Sequence, residues 1–467
     1  MVNDVRASRW KEIGSIGALV LASGFILFLN LGGRTLENHD YLRYAEVVRE
    51  MIRSGDWIIP RSNGEIFLNK PPLLFWLMAL PSAVYGSVTP MIARLPSFFA
   101  AWIGILIVFL WAKKVYGTTL SGLVAGGVLL SSYQYFFQAR TARTDMIFCL
   151  FILLSLFFFH AAYHGDLRRR CLLQGLSFLF MGLATLTKGP VGFIIPFLII
   201  CCYLLQEKKS KTLVSKEFIL GYAVLLLTLL PWIVLFLQRV EFAEVISALK
   251  KSHMITRRAP FYLYLVQIWI QFFPWSVLIP VFIFYFWKKK EGVFGEKKSF
   301  FVVWFGVLFL GLTLFPYRVS RYLLPLLPAF ALLIGGAWEK KRTVFLIPCL
   351  CFVLVWHAVD IYHIKRNPSH SAGKTLAEEM RPVIKDSKLS GFRLDPNTVE
   401  QINFYLERLI PIFKTPQEVG KHLRGGQGGF VLMPQGVYEK MAQQQLFPMT
   451  ISNEFPYDGE TLVLVSD

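Results

Sequence analysis

Long apolar blocks separated by short polar segments dominate the first 361 residues. A spanning helix needs about 20 mostly apolar residues. Eleven stretches qualify, at roughly 14–33, 91–112, 117–138, 144–163, 171–187, 189–206, 217–238, 262–287, 298–316, 320–338 and 342–361. The apolar block 73–86 is too short and too proline-flanked to span, and it predicts an interfacial helix lying on the membrane surface. Beyond 361 the pattern changes to charges, the run Gly425-Gly426-Gln427-Gly428-Gly429, and short apolar segments such as Phe430–Met433 and Thr461–Val465. That pattern predicts a small α/β domain at 362–467 with a few short strands, following a membrane domain at 1–361.

Short loops rich in Lys and Arg stay on the cytoplasmic side, so the charges test this count. From a cytoplasmic N-terminus (Arg6, Arg9, Lys11), alternation puts every basic cluster of the apolar part inside. These are Lys113-Lys114, Arg168 to Arg170, Lys208 to Lys211, Lys288 to Lys290 with Lys297-Lys298, and Lys340 to Arg342. A span at 73–86 would invert all of them, which favours the interfacial reading. Eleven spans place the C-terminal domain outside.

Composition agrees. The 467 residues are 55% hydrophobic, 15% aromatic and only 17% charged, with mean hydropathy +0.50, which describes a polytopic membrane protein. The net charge of +19 could point to nucleic acid, but most of the excess lies in the inner loops, where topology and anionic lipid headgroups account for it. The six cysteines all fall in predicted spans, so neither a disulfide framework nor a cysteine metal site is expected. The first helix has full spanning length and no small-residue cleavage site, and reads as a retained anchor.

The remaining polar residues converge on the outer face: His39, Asp40, Arg43, Tyr44, Glu46 and Lys70 in the first loop, then Arg140, Arg143, Asp145 and Lys188 at helix mouths. The loop 239–261 adds Arg239, Glu241, Glu244, Lys250, Lys251, His253, Arg257 and Arg258, and Arg318 and Arg321 complete the set. Outer-face cations run against the topological bias, and a phosphate at headgroup depth gives them a purpose. Carboxylates beside them suggest acid–base work. Plainer readings stand next to these. Asp40 and Glu46 fit a solvated amphipathic helix, Asp145 fits a helix N-terminal cap as well as it fits catalysis, and Lys70 and Lys188 fit cations snorkelling to headgroups. His253 in a loop is by itself an ordinary histidine.

At these residues the chain resembles a family. Asp40-Tyr41-Leu42-Arg43-Tyr44-Ala45-Glu46, Ser54-Gly55-Asp56-Trp57 and Lys70-Pro71-Pro72-Leu73 look like the first external loop of the bacterial aminoarabinose transferase and protein O-mannosyltransferase superfamily. Ala93 to Ser97, Arg143-Thr144-Asp145-Met146, Thr187 to Pro190, Pro274-Trp275-Ser276 and Arg321 to Pro325 extend the match over about residues 14–340, in order. These are GT-C glycosyltransferases that use polyprenyl-phosphate sugars. The resemblance implies an all-α polytopic fold of about 11–13 transmembrane helices, an undecaprenyl-phosphate sugar donor, and inversion at the anomeric carbon. The acceptor is lipid A or another envelope glycan in one branch and a Ser or Thr hydroxyl in the other.

Position by position, the resemblance makes Asp40 the catalytic base or acceptor orienter and Asp145 the second acidic position. It makes Lys70 the holder of the lipid phosphate, with Arg43, Tyr44, Lys188, Arg258 and Arg321 as further phosphate or acceptor contacts. Asn69 stands where the family often has an acidic metal-binding residue, with His253 as the equivalent histidine, and Tyr41 replaces a second loop carboxylate. The departure at Asn69 weakens the case for a divalent metal but leaves His253 as its candidate ligand, and no other cofactor is implied. A polyprenyl-lipid transporter is the competing class. It would put ionisable residues at the bilayer midplane in two related halves, whereas here they gather at one surface.

Overall fold

Helix boundaries in the first half follow local chemistry. The computed structural model describes residues 2–36, 39–62, 64–241, 243–247, 259–281, 284, 296–337, 342–366, 372–385, 387–424, 429–444 and 448–467. Helix α1 (Val2–Phe28) leads into the first loop, which holds α2 (His39–Ser54), the two-residue strands β1 (Arg61–Ser62) and β2 (Glu65–Ile66), and α3 (Leu73–Tyr85). Gly86, at φ +88°, closes α3, and the Thr89 side chain caps α4 (Pro90–Tyr116) by accepting from Ile92 N–H. Then come α5 (Thr119–Ser131), α6 (Tyr133–Gln138), α7 (Thr144–His164), α8 (Arg170–Lys188), α9 (Val191–Gln206) and α10 (Lys216–Arg239).

Among the described residues, five helices are long and apolar enough to cross a membrane: Pro90–Tyr116, Thr144–His164, Leu167–Lys188, Lys216–Arg239 and Leu346–His363. Shorter apolar helices of 10–17 residues fill in between them, Leu73–Tyr85 among them. Close approach relies on small residues. A Cβ added at Gly221 of α10 would lie 2.4 Å from the Phe178 ring of α8, so the backbones meet where a side chain is missing.

Three expected spans are broken rather than straight. Residues 117–138 divide at Ser132 into α5 and α6, and 262–287 bends by 115° between α11 (Leu263–Gln271) and the turn beginning at Trp275. The reason is tertiary. Trp356 donates to the Ser131 carbonyl at 2.8 Å, Trp275 donates to Ser131 Oγ at 3.0 Å, and Tyr133 N–H donates to the Phe273 carbonyl at 2.9 Å. Each break supplies the backbone partner that the other lacks, which makes irregular backbone tolerable away from water. The third, 320–338, starts as a 3-10 turn over Ser320–Leu326, containing Pro325, before α13 (Leu327–Gly336). Between these lies α12 (Glu296–Leu314).

The last apolar helix, α14 (Leu346–Arg366), runs past the expected end at 361. Beyond it α15 (Ala372–Ile384), α16 (Pro396–Leu406), α17 (Pro416–Leu423) and α18 (Gln435–Gln443) pack on a five-stranded sheet of order β4-β3-β5-β7-β6. Its strands are β3 (Leu389–Phe392), β4 (Ile412–Phe413), β5 (Phe430–Pro434), β6 (Thr450–Tyr457) and β7 (Glu460–Ser466). β3 is parallel to β4 and β5, while β7 is antiparallel to β5 and β6. Both faces are covered. Leu432 and Leu464 pack with Met380 and Ile402, and Val431, Met433 and Val463 pack with Leu423 and Met441 on the other side. This is the small α/β unit that the tail pattern predicts, and its β5 and β7 are the two apolar runs named from sequence.

Candidate active site

Asp145 lies in the first turn of α7, and Lys188 ends α8, so antiparallel packing of the two helices brings the carboxylate and the ammonium to the same end of the bundle. Gly189 at φ +84° terminates α8 directly after the lysine and turns the chain into α9. Lys188 Nζ reaches Asp145 Oδ1 at 2.6 Å, and Arg321 Nε, presented by the 3-10 turn, lies 3.5 Å from Oδ2. Lys188 also sits over the rings of Tyr322, 4.5 Å from its centroid, and Phe148, at 5.1 Å. The N-cap of α7 is Arg143, not Asp145, so the capping alternative gives way to an ion-paired carboxylate that the helix N-terminus also favours.

Asp40 opens α2, with its carboxylate on the guanidinium of Arg143, which also covers the Tyr41 ring at 5.2 Å. The segment Arg143-Thr144-Asp145 therefore links the two acidic positions. The side chain of Asp40 is 29% exposed and that of Asp145 5%, so Asp40 is the more open of the two. Lys70, half-buried in the loop before α3, donates to its neighbour's carbonyl at 3.1 Å. Burial, and then the charge of Lys188, holds its ammonium below the usual lysine range, while Asp145 and Asp40 pull the other way. Lys70, Lys188, Arg321, Asp40 and Asp145 thus share one electrostatic environment.

Other expected site residues have different partners. Tyr44 is buried, its ring edge-on to Phe67 at 6.2 Å and to Phe75 at 5.8 Å, where it packs the loop against α3. Arg43 points to the C-terminal domain and meets Glu400 of α16 at 2.9 Å. Glu46 pairs with Arg49 within α2. Arg140 and Arg34 both bind the buried Asp360, at 3.0 and 2.5 Å, and Arg318 binds the carbonyls of Ala259 and Thr313 at 2.6 Å. Arg258 and His253 lie outside the described residues. Among the described residues no three His, Cys, Asp or Glu side chains are grouped to hold a metal.

Sequence reasoning missed Glu400 and Asp360. Asp360 carried a signal, being a lone acid within the last predicted span. Glu400 carried none, since only the fold brings α16 onto α2. There Arg49 donates to the carbonyls of Asn403 at 2.8 Å and Phe404 at 2.9 Å, and Tyr405 Oη accepts from Leu36 N–H at 3.0 Å. Burial, opposed by Arg43 and reinforced by the nearby Asp40 charge, raises the Glu400 carboxyl to about 7.

A family model described as dolichyl-phosphate-mannose-protein mannosyltransferase matches residues 69–235. An uncharacterized protein of Aquifex aeolicus is 30% identical over 419 residues, covering 87% of this chain and 81% of its own length. An undecaprenyl phosphate-alpha-4-amino-4-deoxy-L-arabinose arabinosyl transferase of Proteus mirabilis is 25% identical over 338 residues, 70% of this chain and 60% of that protein. Crystal structures of ArnT from Cupriavidus metallidurans, apo and bound to undecaprenyl phosphate, match the fold with TM-scores of 0.83 and 0.77 at 19% identity, covering 97% of this chain and 98% of theirs. The chain belongs to the ArnT-like superfamily of GT-C glycosyltransferases, and is a multi-pass membrane glycosyltransferase.

Proposed function

We propose that the protein transfers a sugar, aminoarabinose or a relative of it, from undecaprenyl phosphate to lipid A or another envelope acceptor at the periplasmic face of the inner membrane. The observation that carries this reading is the cluster at one end of the bundle, where Asp40 and Asp145 face Lys188, Arg321 and Lys70. It is supported by the activity for which the Proteus mirabilis relative is named and by the ligand of the Cupriavidus metallidurans structure.

In this reading the acceptor oxygen attacks the anomeric carbon from the face opposite the phosphate. Asp40, the accessible carboxylate, takes the acceptor proton as the new C–O bond forms. The bond from the anomeric carbon to the phosphate oxygen breaks, and its electron pair leaves with the polyprenyl phosphate. Lys70, Lys188 and Arg321 meet the negative charge growing on that phosphate. Asp145 holds Lys188 and Arg321 in position and steadies the positive charge developing on the sugar ring. No nucleotide is needed, because the donor is already activated.

Mass spectrometry of lipid A from cells expressing the protein, with an undecaprenyl-phosphate sugar available, tests the reading. A pentose- or hexose-sized addition that is lost in Asp40→Asn and absent with empty vector is expected. New glycan on secreted proteins, with lipid A unchanged, would favour the mannosyltransferase branch that the family model describes. No change in either would return the transporter reading.

A further inference from the structure

A charged cavity lies at the seam between the bundle and the C-terminal domain. It encloses about 610 Å³, bounded by the chain just after α1, the α3–α4 turn from Gly86 to Pro90, the later half of α2, and helices α15 and α16. Five cations line it, Arg34, Arg49, Arg53, Lys374 and Arg381, against two carboxylates, Glu378 and Glu407. Acids partner three of the cations: Asp360 on Arg34, Glu46 on Arg49, and Glu378 on Lys374 at 3.7 Å. Arg53 and Arg381 are held by main-chain carbonyls instead, those of Glu407 at 2.8 Å and Tyr405 at 2.7 Å. A carbonyl fixes the direction of a guanidinium and occupies part of its five-donor fork, but cancels none of its charge. Burial first, and then the charge of Arg53, lowers the Arg49 pKa to about 10, with Glu407 and Glu50 pulling the other way.

The 27-residue α4 begins at this cavity, with Thr89 as N-cap and Pro90 at its first turn, so the positive end of its dipole adds to the same field. The surroundings of the cavity suit a lipid. It lies at the ends of apolar helices α1 and α4, and beside it Val84 is 92% and Tyr85 69% exposed, apolar surface next to a basic pocket. Arg49 and Arg53 are nine and thirteen residues along α2 from Asp40, about 13–20 Å at helical rise, so this is not the carboxylate cluster.

We infer that this cavity is a binding site for the phosphate headgroup of a membrane lipid, with Arg53 and Arg381 as its principal anion contacts. The site stands whether or not the proposed sugar transfer does. Native mass spectrometry of the detergent-purified full chain, titrated with dioleoyl phosphatidic acid or with dioleoylglycerol, provides the test. The expected result is a phosphatidic acid adduct that dioleoylglycerol does not form, reduced at least tenfold in occupancy by Arg53→Glu with Arg381→Glu and retained in Lys70→Ala. A distinct adduct lost only in Lys70→Ala would report the active-site cluster, so failure of either site is read separately. Equal phosphatidic acid occupancy in wild type and the double variant would overturn the inference. So would inorganic phosphate binding as tightly as the lipid, which would assign the cavity to a soluble anion. If the double variant does not fold, Arg381→Gln, at an exposed side chain, is expected to cut occupancy severalfold, and unchanged occupancy there counts equally against the site.

Discussion

Asp145 is sandwiched between Lys188 and Arg321, and that arrangement decides how its loss would read out. Asp145→Asn leaves two cations facing each other without their anion. The expected outcome is a fall of about a hundredfold or more in transfer rate, with donor KM changed less, measured by single-turnover glycosyl transfer. Lys70 offers a pH test. Its ammonium is held below the usual lysine range, so it loses its proton, and its grip on a phosphate, at a lower pH than an exposed lysine would. The alkaline limb of kcat/KM against pH should therefore lie early in wild type and move upward in Lys70→Arg, because a guanidinium keeps its charge. The residue types at this end of the bundle were legible from sequence: cations against the topological bias, an acid opening an apolar helix, and Lys-Pro-Pro before a short helix. What each one touches was not. Arg43 and Tyr44 share the helix of Asp40, yet one binds the C-terminal domain and the other fills an aromatic cluster, because successive side chains on a helix face different neighbours.

At the scale of elements, α2 is held on two sides, by the bundle through Asp40 and Arg143 and by α16 through Arg43 and Glu400. Glu400 makes the second contact pH-dependent. Its folded-state pKa of about 7 lies above the ordinary glutamate value of 4.5, so the folded protein keeps this proton where an unfolded chain has given it up. Stability from that group is full below about 4.5 and is lost as pH rises through about 7. Wild-type Tm should fall across this window relative to Glu400→Gln, measured by thermal unfolding in detergent. Arg43→Met should lower transfer activity through α2 while leaving the fold of the bundle intact, checked by circular dichroism beside the activity assay. Apolar content marked these blocks but overstated their length and straightness: of the eleven expected spans, five meet spanning length among the described residues, or six if the bent pair is one span. The breaks at Ser132 and near Pro274 depend on Trp356, Trp275 and a backbone pair, contacts between segments far apart in the chain.

For the whole molecule, the basic loops and the number of apolar blocks predict that the C-terminal domain lies outside. Alkaline phosphatase fused after Asp467 should be active in cells, and the same enzyme fused at Lys209 should be inactive, since it needs the periplasm to fold; the reverse pattern would invert the orientation. The α/β character of the tail was readable from its charges, its glycine run and the short apolar runs that became β5 and β7; the Asp458-Gly459 turn joining β6 to β7, where both residues have positive φ, was not among those signals. Its contact with the first loop was not readable, because the pairing of Arg43 with Glu400 spans 357 residues and leaves no local trace.

The paired breaks have a consequence for synthesis. Tyr133 leaves the ribosome 140 residues ahead of Phe273, the carbonyl that takes its N–H. At about 5–20 residues per second, the earlier half waits roughly 7–28 seconds with that amide open. A ribosome-bound chain stalled before Phe273 should therefore be digested at the α5–α6 junction by a membrane-permeant protease, and one stalled well past Trp356, which closes the same junction, should resist. Insertion of this bundle is then a deferred assembly, in which an early segment stays provisional until a later one arrives to complete it.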